Sequence, residues 1–252
     1  MKSRVNPVSR SLLFALASLL HPRMLWLMIW PMLVSLFAWG TAAFLLWGAT
    51  AVWIAAHLKR WLETGMLFVS FDTGGAMLVA AHVIMVLLFV PLVYFTALLV
   101  LSIFGMQAMV EHIASRRFPQ LARRQGGSFA GSLLNSLVAL GGLAALAVVS
   151  IPFWLIPPLW PAIPVVIMGW VNERVLRYDA LAEHATADEM RVIFSSRRKA
   201  LYGLGVVLAL LAYVPLIGLM APVLFGLAFI HFLLGELEAL RQAPIEGEAV
   251  RL

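Results

Sequence analysis

Four stretches of this chain, residues 24–58, 73–110, 125–172 and 200–235, contain no Asp, Glu, Lys or Arg. No other feature limits the fold as strongly. A helix crosses about 30 Å of hydrocarbon with about 20 predominantly apolar residues, and every stretch exceeds that length. A chain of 252 residues that is 63% hydrophobic and only 12% charged has too little polar surface to hide such runs from water. Lipid is therefore the solvent for most of it, and the bilayer is its first partner. Lipid satisfies no backbone N–H or C=O, so long apolar runs cross it as helices. The fold class expected is all-α integral membrane, with residues 1–240 forming a single membrane domain.

Proline placement divides the four stretches into two kinds. The first two carry only Pro31 and Pro91, and each is expected to supply one long transmembrane helix with turns projecting beyond the bilayer. The third carries Pro152, Pro157, Pro158, Pro161 and Pro164; the fourth carries Pro215 and Pro222. Proline removes a helical hydrogen bond and clashes with the preceding turn. In the fourth stretch this leaves residues 200–214 and 223–235, about 22 and about 20 Å long, each too short to span. Two partly penetrating helical hairpins follow, the second with its irregular backbone at residues 215–222; residues 131–151 of the third are long enough to cross fully. Ahead of all this, residues 11–20 follow Lys2, Arg4 and Arg10 and end at His21-Pro22-Arg23. They read as an interfacial helix feeding a spanning one, not as a cleaved signal peptide.

The charges set the orientation. Large basic clusters lie in the N-terminal segment, after the second stretch (Arg116, Arg117, Arg123, Arg124) and after the third (Arg174, Arg177, Arg191, Arg197, Arg198, Lys199), whereas the connection after the first has only Lys59 and Arg60. Short cytoplasmic loops collect Lys and Arg. Two single crossings and two hairpins put every large cluster on the cytoplasmic side, with both termini. Residues 173–199 are then a cytoplasmic helical segment, and residues 241–252 a frayed tail. The formal net charge of +6 sits beside apolar runs, where it meets anionic lipid, so no nucleic-acid partner is expected.

Chemistry-bearing motifs are few. With no cysteine there is no disulfide or thiolate site. No Gly-rich phosphate loop occurs, and no acid, base or metal set converges within the apolar runs, so neither an enzyme nor a cofactor or metal is expected. Asp179, Glu183 and His184 read as a solvated face, His82, His231, Asn135 and Gln107 as packing groups, and Trp26, Trp30, Trp53, Trp61, Trp154 and Trp160 as an interfacial belt. The polar residues that flank the apolar runs are the candidates for contact with a small anion: Arg23, Glu111, Asn172 and Arg174. A guanidinium offers an oxyanion charge and paired donors, though the positive-inside bias accounts for the arginines equally well.

The order of several segments resembles one family. An amphipathic N-terminal helix precedes Pro22-Arg23 and Trp30-Pro31-Met32-Leu33-Val34; Val110-Glu111 closes the second long helix; Ile156-Pro157-Pro158, Tyr178-Asp179, Glu189-Met190-Arg191 through Arg197-Arg198-Lys199, Val214-Pro215-Leu216-Ile217 and Ala221-Pro222-Val223 follow. This succession resembles the CysZ-type sulfate permeases and the related etoposide-induced-protein family over nearly the whole chain. The resemblance implies two long transmembrane helices, two pairs of half-penetrating helices, a homo-oligomer in a bacterial inner membrane, and channel-like or gradient-driven sulfate uptake. It also implies that Arg23 lies at the anion's entrance and Glu111 at the inner end of its path. Three positions depart from the family pattern: His21-Pro22-Arg23 stands where the family has Gly-Leu/Ile-Arg, Phe104-Gly105-Met106-Gln107 where it has a Pro-Phe-Asn run, and Gly218 where it has Asn. The alternative function is a non-transporting scaffold that docks a partner through residues 173–199.

Overall fold

The structure, a computed structural model, describes residues 7–65 and 74–242. Its regular elements are all helical: α1 (Pro7–Leu19), α2 (Pro22–Gly65), α3 (Gly74–Arg117), α4 (Phe129–Ser150), α5 (Ala162–Leu181), α6 (Ala187–Ser196), α7 (Arg198–Leu211) and α8 (Pro215–Gln242). The protein is an all-α membrane protein, and α2, α3, α4 and α8 each contain a run long and apolar enough to cross a bilayer.

α2 and α3 have 44 residues apiece, or about 66 Å of helix, roughly twice the hydrocarbon thickness. Pro31 and Pro91 lie inside them and end neither. The described residues fall into two compact units, one between Trp26 and Ile103, the other made of those up to Leu25 and those from Phe104 onward. In the first unit α2 pairs with α3: Trp39 Nε1 donates to Thr96 Oγ1 at 2.9 Å, and the Trp47 ring meets His82 at 6.0 Å. His82 Nδ1 donates to the Leu78 carbonyl one turn back. Outward-facing side chains are large and apolar, Phe44 being 88% exposed, as lipid-facing surface requires.

The second unit is built around α8. Val223, Leu224, Leu227, Phe229, Ile230, Leu233, Leu234 and Leu237 leave no side of this helix polar, and all are buried, against α1, α5, α6 and α7. A helix apolar all round is an interior helix, and where lipid is the alternative solvent it is held by close packing against its neighbours and not by exclusion from water. α1 lays Ser11, Ala15 and Leu19 inward and turns Leu13 and Leu16 outward, the two-faced habit of an interfacial helix.

The irregular backbone of the last stretch is not where the prolines place it in sequence. Residues 212–214 form the turn, and 215–222 are helical. Pro215 occupies the first position of α8, where its missing N–H costs nothing, and Pro222 is carried inside the helix. α8 therefore runs 28 residues, about 42 Å, longer than the arm expected from residues 223–235 and by length and composition enough to cross a bilayer. Arg241, assigned in sequence to the tail, belongs to α8; residues 243–252 of that tail lie outside the described residues.

α4 and α5 pack side by side, joined by two short 3-10 turns, Ile151–Leu155 and Pro157–Leu159. Trp154 Nε1 donates to Ser150 Oγ (3.2 Å) and Trp160 Nε1 to the Trp154 carbonyl (2.8 Å), tying the tip together. The Tyr213 hydroxyl donates to the Pro161 carbonyl at 3.4 Å, so the α7–α8 turn lies beside the α4–α5 tip. Ile151, Leu155, Trp160, Leu210 and Leu216 at this end are exposed, and no charged residue occurs among them. At the opposite end residues 125–127 lie on the turn after α5: the N–H groups of Gln125, Gly126 and Gly127 donate to the carbonyls of Glu183, Ala185 and Ala182.

Candidate functional site

α1 breaks at His21 because Pro22 follows it, and a residue before proline avoids helical backbone. Pro22 then opens α2, leaving the N–H of Arg23 as the first donor that needs a partner. The partner is His21 itself, whose Nδ1 accepts from the Arg23 N–H at 3.2 Å. That bond fixes the ring: Nδ1 bears no proton, and Nε2–H is left as a donor.

On the other side of the His21 ring stands His112, with centroids 4.7 Å apart. It comes from α3, where His112 and Arg116 are four residues apart and share one face. Arg116 and Arg117 form the last turn of α3, and a basic last turn is favoured by the helix dipole. Arg117 also lies over the Phe14 ring of α1, 3.7 Å from its centroid. His231, carried to the same place by α8, is hydrogen-bonded to Ser18 at 3.0 Å.

These groups surround a cavity of about 150 Å³ whose polar lining is Ser18, His21, His112, Arg116, Arg117 and His231. No carboxylate lines it. Burial, then Arg116 and Arg23, holds His21 below the ordinary histidine range; burial, then His21, Arg116 and Arg23, does the same to His112. At neutral pH both rings are therefore uncharged donors beside fixed guanidinium charges. Donors without a competing acceptor suit a small oxyanion.

The four residues singled out in the sequence do not meet in one place. The backbone of Arg23 joins the cluster through His21, and its exposed side chain stands outside the cavity lining. Glu111 is exposed and pairs with Arg123 at 3.5 Å. Asn172 and Arg174 belong to α5, where Arg174 lines a different, larger cavity. Asn135 donates from α4 to the Arg174 carbonyl at 2.8 Å, joining two helices, whereas Gln107 is exposed. Asp179 turns to α4, where Ser132 donates to it at 2.6 Å; burial pushes its carboxyl up, against that hydrogen bond.

Sequence reasoning missed His21, His112, Arg116, Arg117 and Ser18 as a group. The i,i+4 pair His112 and Arg116 was the one local signal available. The profile of one family, sulfate transporter CysZ/etoposide-induced protein 2.4, matches residues 11–222. No curated protein and no solved structure matches the chain significantly.

Proposed function

Because the chain belongs to the sulfate transporter CysZ/etoposide-induced protein 2.4 family, we propose that it carries a small inorganic oxyanion across a membrane, sulfate first among the candidates, without covalent chemistry. The observation that carries this reading is the cavity at the α1–α2 corner, where Arg116, Arg117 and two neutral histidines offer donors and charge and no acidic group competes. Arg23 adds its charge from the rim, since it acts electrostatically on both His21 and His112. A dianion meeting these groups exchanges hydration for charge-assisted hydrogen bonds, each worth about 1.5–3 kcal/mol.

In this reading the uncharged tips of both hairpins lie within the bilayer, and the basic connections and both termini face the cytoplasm of a bacterial inner membrane. Glu111, held by Arg123 at the surface, marks the inner end of the path. The broad apolar exposure of α2 and α3 leaves room for other copies of the chain as well as for lipid, in keeping with a homo-oligomer.

Labelled sulfate uptake into vesicles holding the purified protein tests the proposal. Flux above that of empty vesicles is expected, and Arg116→Gln should lower it on the order of tenfold, the loss of one charge-assisted contact. Arg60→Gln, on the other compact unit, should leave it unchanged. Sulfate, sulfite and thiosulfate all moving no faster than in empty vesicles would overturn it.

A further inference from the structure

A second cavity, of about 870 Å³, opens between α5, α6 and α7. Its charges are unbalanced: Arg174, Arg177, Arg191, Arg198 and Lys199 line it against the single carboxylate of Glu173. Glu173 is spent on Arg177, to which it is joined by a buried ion pair, and Arg177 also rests on the Phe194 ring, 4.7 Å from its centroid. Arg191 reaches only Asp188, at 3.3 Å and in open solvent, a pairing worth little.

The remaining three cations have no side-chain partner among the described residues. Arg198 and Lys199 are exposed at the start of α7. Arg174 is more telling, because its Nε is buried and makes no hydrogen bond. A buried donor left unpaired carries the full cost of its lost hydration, the more so on a charged group, so an acceptor is called for at this place.

The rest of the lining is apolar and aromatic. Trp170 packs on α4, where Gly142 leaves it room: a Cβ there would collide with the indole. Leu146 and Val166 continue the wall, and Val166 is half exposed on the outer surface. The cavity thus grades from guanidinium groups to apolar surface. Its volume falls in the ordinary range for organic ligands, about 300–1,000 Å³, and far exceeds that of the cavity at the α1–α2 corner. A bare oxyanion would leave most of it unfilled.

We propose that this cavity binds a phosphate group carried on a larger molecule, with Arg174, Arg198 and Lys199 on the phosphate oxygens and Trp170, Leu146 and Val166 against the apolar part. Two sources have this chemistry: the headgroup of an anionic phospholipid, which the graded lining favours, and a soluble phosphate monoester. The site is separate from the oxyanion cavity and does not depend on sulfate being transported.

The test uses the full chain in phosphatidylcholine nanodiscs. Phosphatidylglycerol is titrated into one set and glycerol phosphate into another, with binding read by native mass spectrometry. Phosphatidylglycerol should bind, and Arg198→Gln with Lys199→Gln should weaken it tenfold or more. Both positions are exposed, so this variant keeps its fold, and Arg174→Gln should add to the loss. Arg116→Gln, which should lower sulfate flux, should leave this binding intact. Binding of glycerol phosphate with the same variant dependence would support the site and assign it to a soluble ligand. Neither probe binding, or phosphatidylglycerol binding equally well to the Arg198→Gln, Lys199→Gln variant, would overturn the proposal.

Discussion

Replacing Gly205 by alanine should destabilise the α8-centred unit by about 1–3 kcal/mol, the range for overpacking, although alanine is the better helix former by about 1 kcal/mol. Space decides the sign. α5 and α7 cross at two glycines, and a Cβ on Gly205 would collide with the Gly169 carbonyl oxygen. That obstacle is backbone in the middle of α5, which cannot step aside as a flexible side chain would. Small residues at such crossings let membrane helices approach closely. Gly203, two residues earlier on the same helix, meets nothing within 4 Å, so Gly203→Ala should be neutral or stabilising. Thermal unfolding of the detergent-solubilised variants, run as a pair, measures both. A lower midpoint for Gly203→Ala than for Gly205→Ala would show that the crossing does not depend on contact between the two backbones.

Arg241→Ala should cost about 1.5–3 kcal/mol, the range for hydrogen bonds to a charged group in a partly buried pair, or roughly 3–12 °C in the unfolding midpoint for a chain of this size. From the last turn of α8, Arg241 donates to both carboxylate oxygens of Glu189 at 2.9 Å and to the carbonyls of Ala122 and His184 at 3.0 and 2.6 Å. Glu189 is the hub of this end. It closes a capping box with Thr186 at the start of α6 and also accepts from Arg124 at 3.2 Å. One side chain thus holds together the connection after α3, the turn after α5, α6 and α8. Arg241→Lys should recover only part of the loss, because an ammonium cannot reproduce the guanidinium fork.

The same hub sets a pH dependence. The hydrogen bonds from Arg241, and after them the backbone bond at Thr186 and the charges of Arg241 and Arg124, hold Glu189 down at about 2, against burial, from an ordinary 4.5. A depressed carboxyl stabilises the fold fully above its unfolded value and loses that contribution as protons bind. Stability should therefore fall as pH drops from about 4.5 towards 2, and Glu189→Gln should flatten the profile across that window. An unchanged acid profile in the variant would show that another group governs it.

The long helices were legible because an uncharged run permits few solutions in lipid, and α2 and α3 follow from residues 24–58 and 73–110 almost directly. Proline was the less reliable guide. At Pro157 and Pro158 it marks the tip of a hairpin as expected, but at Pro215 it begins a helix and at Pro222 it sits within one. The difference is position relative to the N-terminus of α8, which the sequence does not disclose. The cavity at the α1–α2 corner was hidden for another reason. His21 and His112 come from separate helices and meet only when α1 and the end of α3 converge beside His231 of α8. Spacing along the chain carries no trace of such a meeting. Arg174 was noticed for its charge, but its unpaired buried Nε is a property of the folded surroundings alone.

The position of α8 also bears on biosynthesis. The helix around which α1, α5, α6 and α7 gather is the last described helix to leave the ribosome. Until then its partners have nothing to close upon, and α1, the first of them made, must wait through the synthesis of every helix from α2 to α7. A nascent chain arrested before Leu237 would hold these helices in the membrane without the centre that joins them, exposed to lipid, chaperones and membrane proteases.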